Sequence, residues 1–214
     1  MSVLGVTLAL LLAVYVPTFA LAAALHLSIA HAVPFIIVFS AASALVLMCA
    51  LRRYLGVTLA DFGLRWSNLR HLAIAFAVAV PLAAVAAGML SQTHEPGPLA
   101  GLSLSRALAW FYFGLCAPVQ EELIFRGLLQ TVITRMLSSP LETSARAGVA
   151  AVAGSAVLFA LVHLAVGPWT AAAALILGAL TGELRRRSGS VVPAVLVHSI
   201  FNVPGLLMAG AAPR

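Results

Sequence analysis

The sequence has very few charged residues and no lysine. Only 8% of its 214 residues are charged, six of them acidic, whereas 63% are hydrophobic. A soluble globular domain carries about 25% charged residues, so this composition excludes an ordinary soluble fold. Because no polar linker divides the chain, we predict a single transmembrane domain over residues 1–214, of the all-α, polytopic integral membrane class.

Cysteine is nearly absent as well. Cys49 and Cys116 lie in separate apolar runs and do not form a CxxC pair, so we expect two buried thiols. All twelve basic residues are arginines, and they are dispersed or grouped in short stretches between apolar runs. This distribution argues against a nucleic-acid-binding protein. A lysine-free, alanine- and arginine-rich composition favours a GC-rich microbial genome, and hence a prokaryotic plasma membrane.

Long apolar runs dominate the rest of the sequence. A hydrocarbon core requires about 20 apolar residues per helix, and seven stretches qualify: Val3–Leu25, Ala32–Leu51, His71–Leu90, Leu104–Leu137, Gly148–Val166, Trp169–Leu184 and Val191–Met208. Pro118 lies inside the longest one and lacks a backbone N–H, so we expect it to kink or break the helix. A true break would end one helix near Cys116 and begin another near Val119. The prediction is therefore seven to eight transmembrane helices.

The arginines predict how these helices are oriented. Arginine-rich loops of membrane proteins face the cytoplasm. Arg52–Arg70, Arg135–Arg146 and Arg185–Arg187 all fall on one side if the chain crosses the membrane at each stretch, and the two arginine-free loops, Ser91–Leu102 and Gly167–Trp169, fall on the other.

Three ionisable residues lie together where few are expected. Glu121, Glu122 and Arg126 are surrounded by apolar sequence, although an ionisable residue inside the membrane costs at least ~2.5–3.5 kcal/mol and usually marks a functional site. Glu122 and Arg126 are four residues apart on one helix face and can form an ion pair. Glu121 projects ~100° away from that face and is left to act as a general base. Alternatively, all three residues form an ion network that only holds helices together.

Two further polar positions occur on later helices. His163 follows Phe159 by one turn, and His198 precedes Asn202 by one turn. Each histidine alone could be a hydrogen-bonded core residue. Together with the glutamates they indicate a shared polar cavity within the membrane, because unpartnered polar groups are costly there.

These residues resemble the three signature motifs of a known family. Glu121-Glu122-x-x-x-Arg126, Phe159-x-x-x-His163 and His198-x-x-x-Asn202 are similar in order and spacing to those of the CAAX protease and bacteriocin-processing family. Its members are intramembrane glutamic endopeptidases, which include the Ras-converting enzymes. We expect residues 103–210 to form the catalytic part and residues 1–102 to be the family's variable N-terminal helices.

The resemblance implies a role for each residue. Glu121 and His163 would activate the attacking water, and His198 and Asn202 would stabilise the oxyanion. Glu122 and Arg126 would support the site, as would Phe159. No cofactor and no metal are implied. The substrate would be a membrane-anchored or lipidated, CaaX-like peptide or protein in the lipid bilayer.

Other functions remain open from the residues alone. One glutamate and two histidines could bind zinc, with water as a fourth ligand, although the HExxH motif is missing. Intramembrane Glu, His and Arg also occur in proton-coupled transporters, but the sequence has no duplicated halves. A catalytically silent membrane scaffold or immunity protein is the third alternative.

Overall fold

The computed structural model describes residues 2–90, 104–138 and 144–211. Within these ranges the chain forms helices joined by short connections and contains no strand, which confirms the prediction of an all-α protein. The helices are α1 (Val3–Ala24), α2 (Ile29–Leu55), α3 (Leu69–Leu90), α4 (residues 106–137), α5 (Ser144–His163), α6 (Pro168–Ser188) and α7 (Val192–Ala211). The predicted loop Ser91–Leu102 lies outside the described residues.

Helix α4 is continuous but not uniform. Its α-helical segments Arg106–Phe111, Ala117–Glu122 and Gln130–Leu137 alternate with π-helical segments at Tyr112–Cys116 and Leu123–Leu129. Of the kink or break expected at Pro118, the break does not occur, since Cys116 and Ala117 keep right-handed helical backbone angles. A π turn places the donor of the backbone hydrogen bond five residues after the acceptor. The wider turn lets the helix continue through Pro118, which has no backbone N–H to donate.

Four helices are long and apolar enough to cross a membrane, judged over Val3–Ala24, Ile29–Leu55, Leu69–Met89 and Ala145–His163. Their outer faces are apolar as well. Helix α1 exposes Leu4, Leu8, Leu12 and Val16 along one stripe, a surface too apolar for water and suited to lipid. The chain is therefore an integral membrane protein.

Helices α5 and α6 pack closely through a seam of small residues. A Cβ atom on Gly178 would lie 3.1 Å from the Cα atom of Ala156, and one on Gly182 would lie 3.1 Å from Val152 Cγ1. The two glycines are one turn apart in a GxxxG pattern, which allows helix backbones to approach in membranes. The seam brings α6 against the polar face of α4.

The connection between α2 and α3 docks on the turn between α6 and α7. Arg65 Nε donates a hydrogen bond to the Gly189 carbonyl at 3.0 Å, and Val191 N donates to the Gly63 carbonyl at 3.1 Å. Arg185 Nη2 donates to the Asp61 carbonyl at 2.6 Å. Two predicted arginine-bearing connections therefore meet at the same end of the molecule.

The structure corrects several predicted boundaries at this end. Arg52 and Arg53 belong to the last turn of α2, and Arg185–Arg187 belong to the last turn of α6. Both helices end at glycines with positive φ, Gly56 and Gly189, beyond the arginines. Arginine at a helix C-terminus interacts favourably with the helix dipole, so the apolar pattern ends before the helix does.

The cysteines also differ from expectation. Cys49 is exposed on the surface of the protein and Cys116 is only half-buried, and both are free thiols. The expectation of two buried thiols was wrong. Apolar runs that face lipid place small apolar side chains on the outside of a membrane protein, where a soluble protein would bury them.

Candidate active site

Helix α4 carries the three ionisable residues of the first motif at the centre of the bundle. Glu122 and Arg126 are fully buried, and Glu122 Oε2 lies 3.1 Å from Arg126 Nε. The ion pair expected from their spacing is thus present. The Arg126 Nε hydrogen points to Thr181 Oγ1 at 2.9 Å, so the contact with Glu122 is one between charges and not a hydrogen bond.

Phe159 supports the guanidinium from the opposite helix. The Arg126 Cζ atom lies 4.4 Å from the centre of the Phe159 ring, a cation–π distance. The same ring contacts the imidazoles of His163 and His198 edge-on, with centroid separations of 4.5 and 5.8 Å. Phe159 therefore lies between the buried cation and both histidines, and it limits how each of them can move.

His198 connects the two glutamates. Its Nδ1 atom lies 2.9 Å from Glu122 Oε1, within hydrogen-bond distance. Its Nε2 atom lies 3.7 Å from Glu121 Oε2. A carboxylate can only accept a hydrogen bond, so Nδ1 carries a hydrogen whenever Glu122 is ionised. His198 is itself buried and can rotate little.

His163 approaches Glu121 from the end of α5. Its Nδ1 atom lies 2.7 Å from the carbonyl oxygen of Phe159, and since a carbonyl accepts, Nδ1 bears the hydrogen. The lone pair of a neutral ring is then on Nε2, which lies 3.9 Å from Glu121 Oε2. That separation is too long for a direct hydrogen bond.

Asn202 completes the set on α7, one turn after His198. Its Nδ2 atom donates a hydrogen bond to the Phe113 carbonyl of α4 at 2.9 Å. The carboxamide also lines a cavity of about 510 Å³ that is shared with Glu121, His163 and His198. The structure thus brings together four residues that are up to 81 positions apart in the sequence (202 minus 121).

The rest of the cavity is mainly apolar, and the N-terminal helices contribute to it. Tyr15 and Phe19 of α1, Val33 and Ile36 of α2 and Met89 of α3 line its wall. Residues 1–102, predicted only as variable helices, therefore help to enclose the site. Among the described residues, no three His, Cys, Asp or Glu side chains are grouped as ligands for a metal ion.

Three polar residues of the site were missed in the sequence analysis. Tyr15 accepts a hydrogen bond from Gln120 Nε2 at 3.1 Å beside Glu121, and Thr181 holds Arg126. Gln120 directly precedes the glutamates within an apolar run, which was a signal. Tyr15 and Thr181 have no such signal, because each is a single polar group that is compatible with any helix face.

Fold and site together define a helical membrane protein with a carboxylate between two imidazoles at the wall of an apolar cavity. Residues 103–204 match the family model described as Type II CAAX prenyl endopeptidase Rce1-like. This segment is therefore similar to that family, which confirms the resemblance drawn from its motifs. The family is one of CAAX-type proteases, so the protein is assigned to the hydrolases. No curated protein and no solved structure matches the chain.

Proposed function

We propose that the protein is a glutamic endopeptidase that cleaves membrane-anchored or lipidated, CaaX-like peptides inside the bilayer. One observation carries the proposal: Glu121 Oε2 lies 3.9 Å from His163 Nε2 and 3.7 Å from His198 Nε2 at the wall of the cavity. We further propose that all seven helices cross the membrane, in a prokaryotic plasma membrane.

The spacing of Glu121 and His163 suits a water molecule bound by both. A water oxygen about 2.8 Å from each of the two acceptor atoms would make an acceptor–oxygen–acceptor angle of about 90°. This angle is close to the H–O–H angle of water. The water would donate one hydrogen to the Glu121 carboxylate and the other to His163 Nε2, which leaves an oxygen lone pair for a substrate carbonyl. The fixed Nδ1 hydrogen bond of His163 keeps Nε2 as an acceptor.

Hydrolysis then proceeds with Glu121 as the base and later the acid. Glu121 takes one proton from water as the water oxygen bonds to the carbonyl carbon, and the carbonyl π electrons move to its oxygen. When this tetrahedral intermediate collapses, the carbon–nitrogen bond breaks and Glu121 returns the proton to the leaving amine. The products are a carboxylic acid and an amine, and Glu121 is again ionised.

His198 and Asn202 are placed to stabilise the oxyanion. Because His198 Nδ1 already donates to Glu122, its Nε2 can donate only when the ring is an imidazolium. Asn202 donates through its second Nδ2 hydrogen. One oxyanion donor contributes about 2.7–4 kcal/mol to catalysis.

The cavity suits a substrate with an apolar end. Its walls are formed mainly by aliphatic and aromatic side chains from all seven helices, which can contact a lipid chain without burying unpaired polar groups. The polar groups converge on one wall, where the scissile bond would lie.

Cleavage of lipidated CaaX-type peptides by purified protein in detergent tests the proposal. We expect Glu121→Gln to abolish cleavage while the protein stays folded, and a chelator to have no effect on the wild type. Glu183→Gln is the matched control, because Glu183 pairs with Arg186 and Arg187 at the surface, away from the cavity. Full activity of Glu121→Gln would overturn the mechanism, and chelator-sensitive cleavage would favour the zinc alternative.

A further inference from the structure

The carbonyl oxygen of Phe113 does not receive the backbone hydrogen bond that a regular α-helix would give it. In a regular α-helix it would accept from the N–H of Ala117, but Ala117 N donates to the Tyr112 carbonyl, five residues back. The next donor along the chain would belong to residue 118, which is proline and has no N–H. The π turn and the proline together leave this carbonyl open at the cavity wall.

Asn202 takes up the carbonyl that Pro118 leaves open. Its Nδ2 atom donates to Phe113 O at 2.9 Å, from a helix 89 positions later in the chain. Since a carbonyl only accepts, the amide must present its nitrogen to Phe113. One Nδ2 hydrogen is thereby used on α4, which leaves the second for a ligand in the cavity that Asn202 lines.

We infer that Pro118 is a positioning residue, which keeps the Phe113 carbonyl available so that Asn202 is held in the orientation needed to bind the oxyanion. The inference rests on the oxyanion role proposed for Asn202. An N–H at position 118 would compete for the same carbonyl or restore a regular helical turn, and Asn202 would lose its anchor. Pro118 is fully packed in α4 and touches no reacting atom itself.

Pro118→Ala is the variant that tests this role. We expect kcat to fall by about 10-fold or more, towards the 10²–10³-fold loss of an entire oxyanion donor, with little change in KM. Pro81→Ala is the matched control: Pro81 lies inside α3 with its side chain exposed, and its replacement should leave kcat unchanged. Equal losses in both variants would overturn the inference.

A double-mutant cycle separates positioning from general damage. If Pro118 acts through Asn202, Pro118→Ala should lower kcat about 10-fold or more in the wild type but have almost no further effect in Asn202→Ala. Fully additive losses would contradict the inference. If Asn202→Ala alone retained full activity, the oxyanion role would be the part that fails.

The hydrogen bond itself can be detected without any variant of Pro118, which matters if Pro118→Ala does not fold. The chain contains only two asparagines, Asn68 and Asn202. In protein labelled with ¹⁵N-asparagine and ¹³C-carbonyl phenylalanine, we expect a scalar coupling across the hydrogen bond to one of the two side-chain nitrogens. Asn202→Ala identifies that resonance. A spectrum of the folded protein without such a coupling would refute the positioning contact, whatever the activity of the protein.

Discussion

At the scale of single residues, Arg126 shows how this protein holds a charge in its core. The guanidinium is fully buried, contacts Glu122, donates to Thr181 and stacks on Phe159. Removing an ion from water costs several kcal/mol, and the attraction within a buried ion pair only roughly offsets this cost. The pair therefore contributes little net stability, and its main effect is to fix the position of Glu122 and, through it, of His198.

Arg126→Met should destabilise the protein by about 3–5 kcal/mol, because it leaves the Glu122 carboxylate buried without its cation. The double variant Arg126→Met/Glu122→Gln removes both charges and should recover most of that loss. Unfolding in detergent, followed by circular dichroism, measures both variants. If the double variant is no more stable than the single one, the stability effect does not come from the stranded carboxylate.

At the scale of helices, the glycine seam between α5 and α6 determines how closely α6 approaches the site. A Cβ atom at Gly178 would meet the backbone of Ala156 at 3.1 Å and Arg126 Nη2 at 3.2 Å. Backbone cannot move aside as a flexible side chain can. The seam thus couples the packing of α5 and α6 to the position of the buried guanidinium.

Gly178→Ala should cost about 1–3 kcal/mol of stability through overpacking and should also lower the rate of cleavage, since Arg126 is displaced. Gly154→Ala on α5 is the matched control, because the nearest atom to its added Cβ would be Ile133 Cδ1 at an ordinary 3.8 Å. Melting temperature and cleavage rate are measured for both. A Gly178→Ala variant as stable and active as Gly154→Ala would show that the seam tolerates separation.

The connection between α2 and α3 provides a pH-dependent contact at the arginine-bearing end. Asp61 accepts hydrogen bonds from the backbone and the hydroxyl of Thr58, both at 2.8 Å, and these bonds lower the pKa of the Asp61 carboxyl. A carboxyl whose pKa is lower in the folded protein than in the unfolded chain stabilises the fold at pH values above its unfolded-state pKa. This stabilisation is lost as the pH falls through its folded-state pKa.

Asp61→Asn should therefore lower the melting temperature slightly at pH 7, and the difference from the wild type should shrink as the pH falls below about 4. The effect is small because Asp61 is exposed. Paired melting curves between pH 3 and pH 7 measure it, and the other carboxyl groups cancel in the comparison. A difference that stays constant over this range would mean that the charge of Asp61 has no part in the contact.

At the scale of the whole molecule, the helices alternate in direction, and the segments that carry Arg65, Arg135 and Arg185–Arg187 meet at one end, whereas Arg106 begins α4 at the other. Arg65 and Arg185 bond across the connection there, and Gly148 of α5 lies against Arg186 of α6. Tyr54 and Trp66 are exposed at the same end, as in the aromatic belts of membrane interfaces. The short turns after α1 and α5 lie at the opposite end and contain no arginine.

Labelling of single cysteines with a membrane-impermeant maleimide tests this orientation. With Cys49 and Cys116 replaced by alanine, Trp66→Cys and Arg187→Cys should react from one side of sealed vesicles only. Leu25→Cys and Leu164→Cys should react only from the other side. All four side chains are exposed. Reaction of Trp66→Cys and Leu164→Cys from the same side would contradict seven alternating crossings.

The features that could be predicted are those that depend on neighbouring positions. The Glu122–Arg126 pair follows from helical periodicity, because both residues are on one helix. The break at Pro118 does not occur, because a π-helical segment ends just before it at Cys116. Such a segment cannot be predicted from the preferences of single residues. The contact of His198 with Glu122 spans 76 positions, and its atoms meet only because α7 packs beside α4.

The sequence by itself determined the all-helical class, the membrane character and the three motifs, because composition and helical periodicity are local properties. Only the tertiary structure decided that Glu121 faces two imidazole nitrogens, that Asn202 is anchored on Phe113, and that the N-terminal helices enclose the cavity. These contacts join helices that are distant in the chain. Their geometry depends on how closely glycines let the helices approach and on where the helical hydrogen-bond pattern is interrupted.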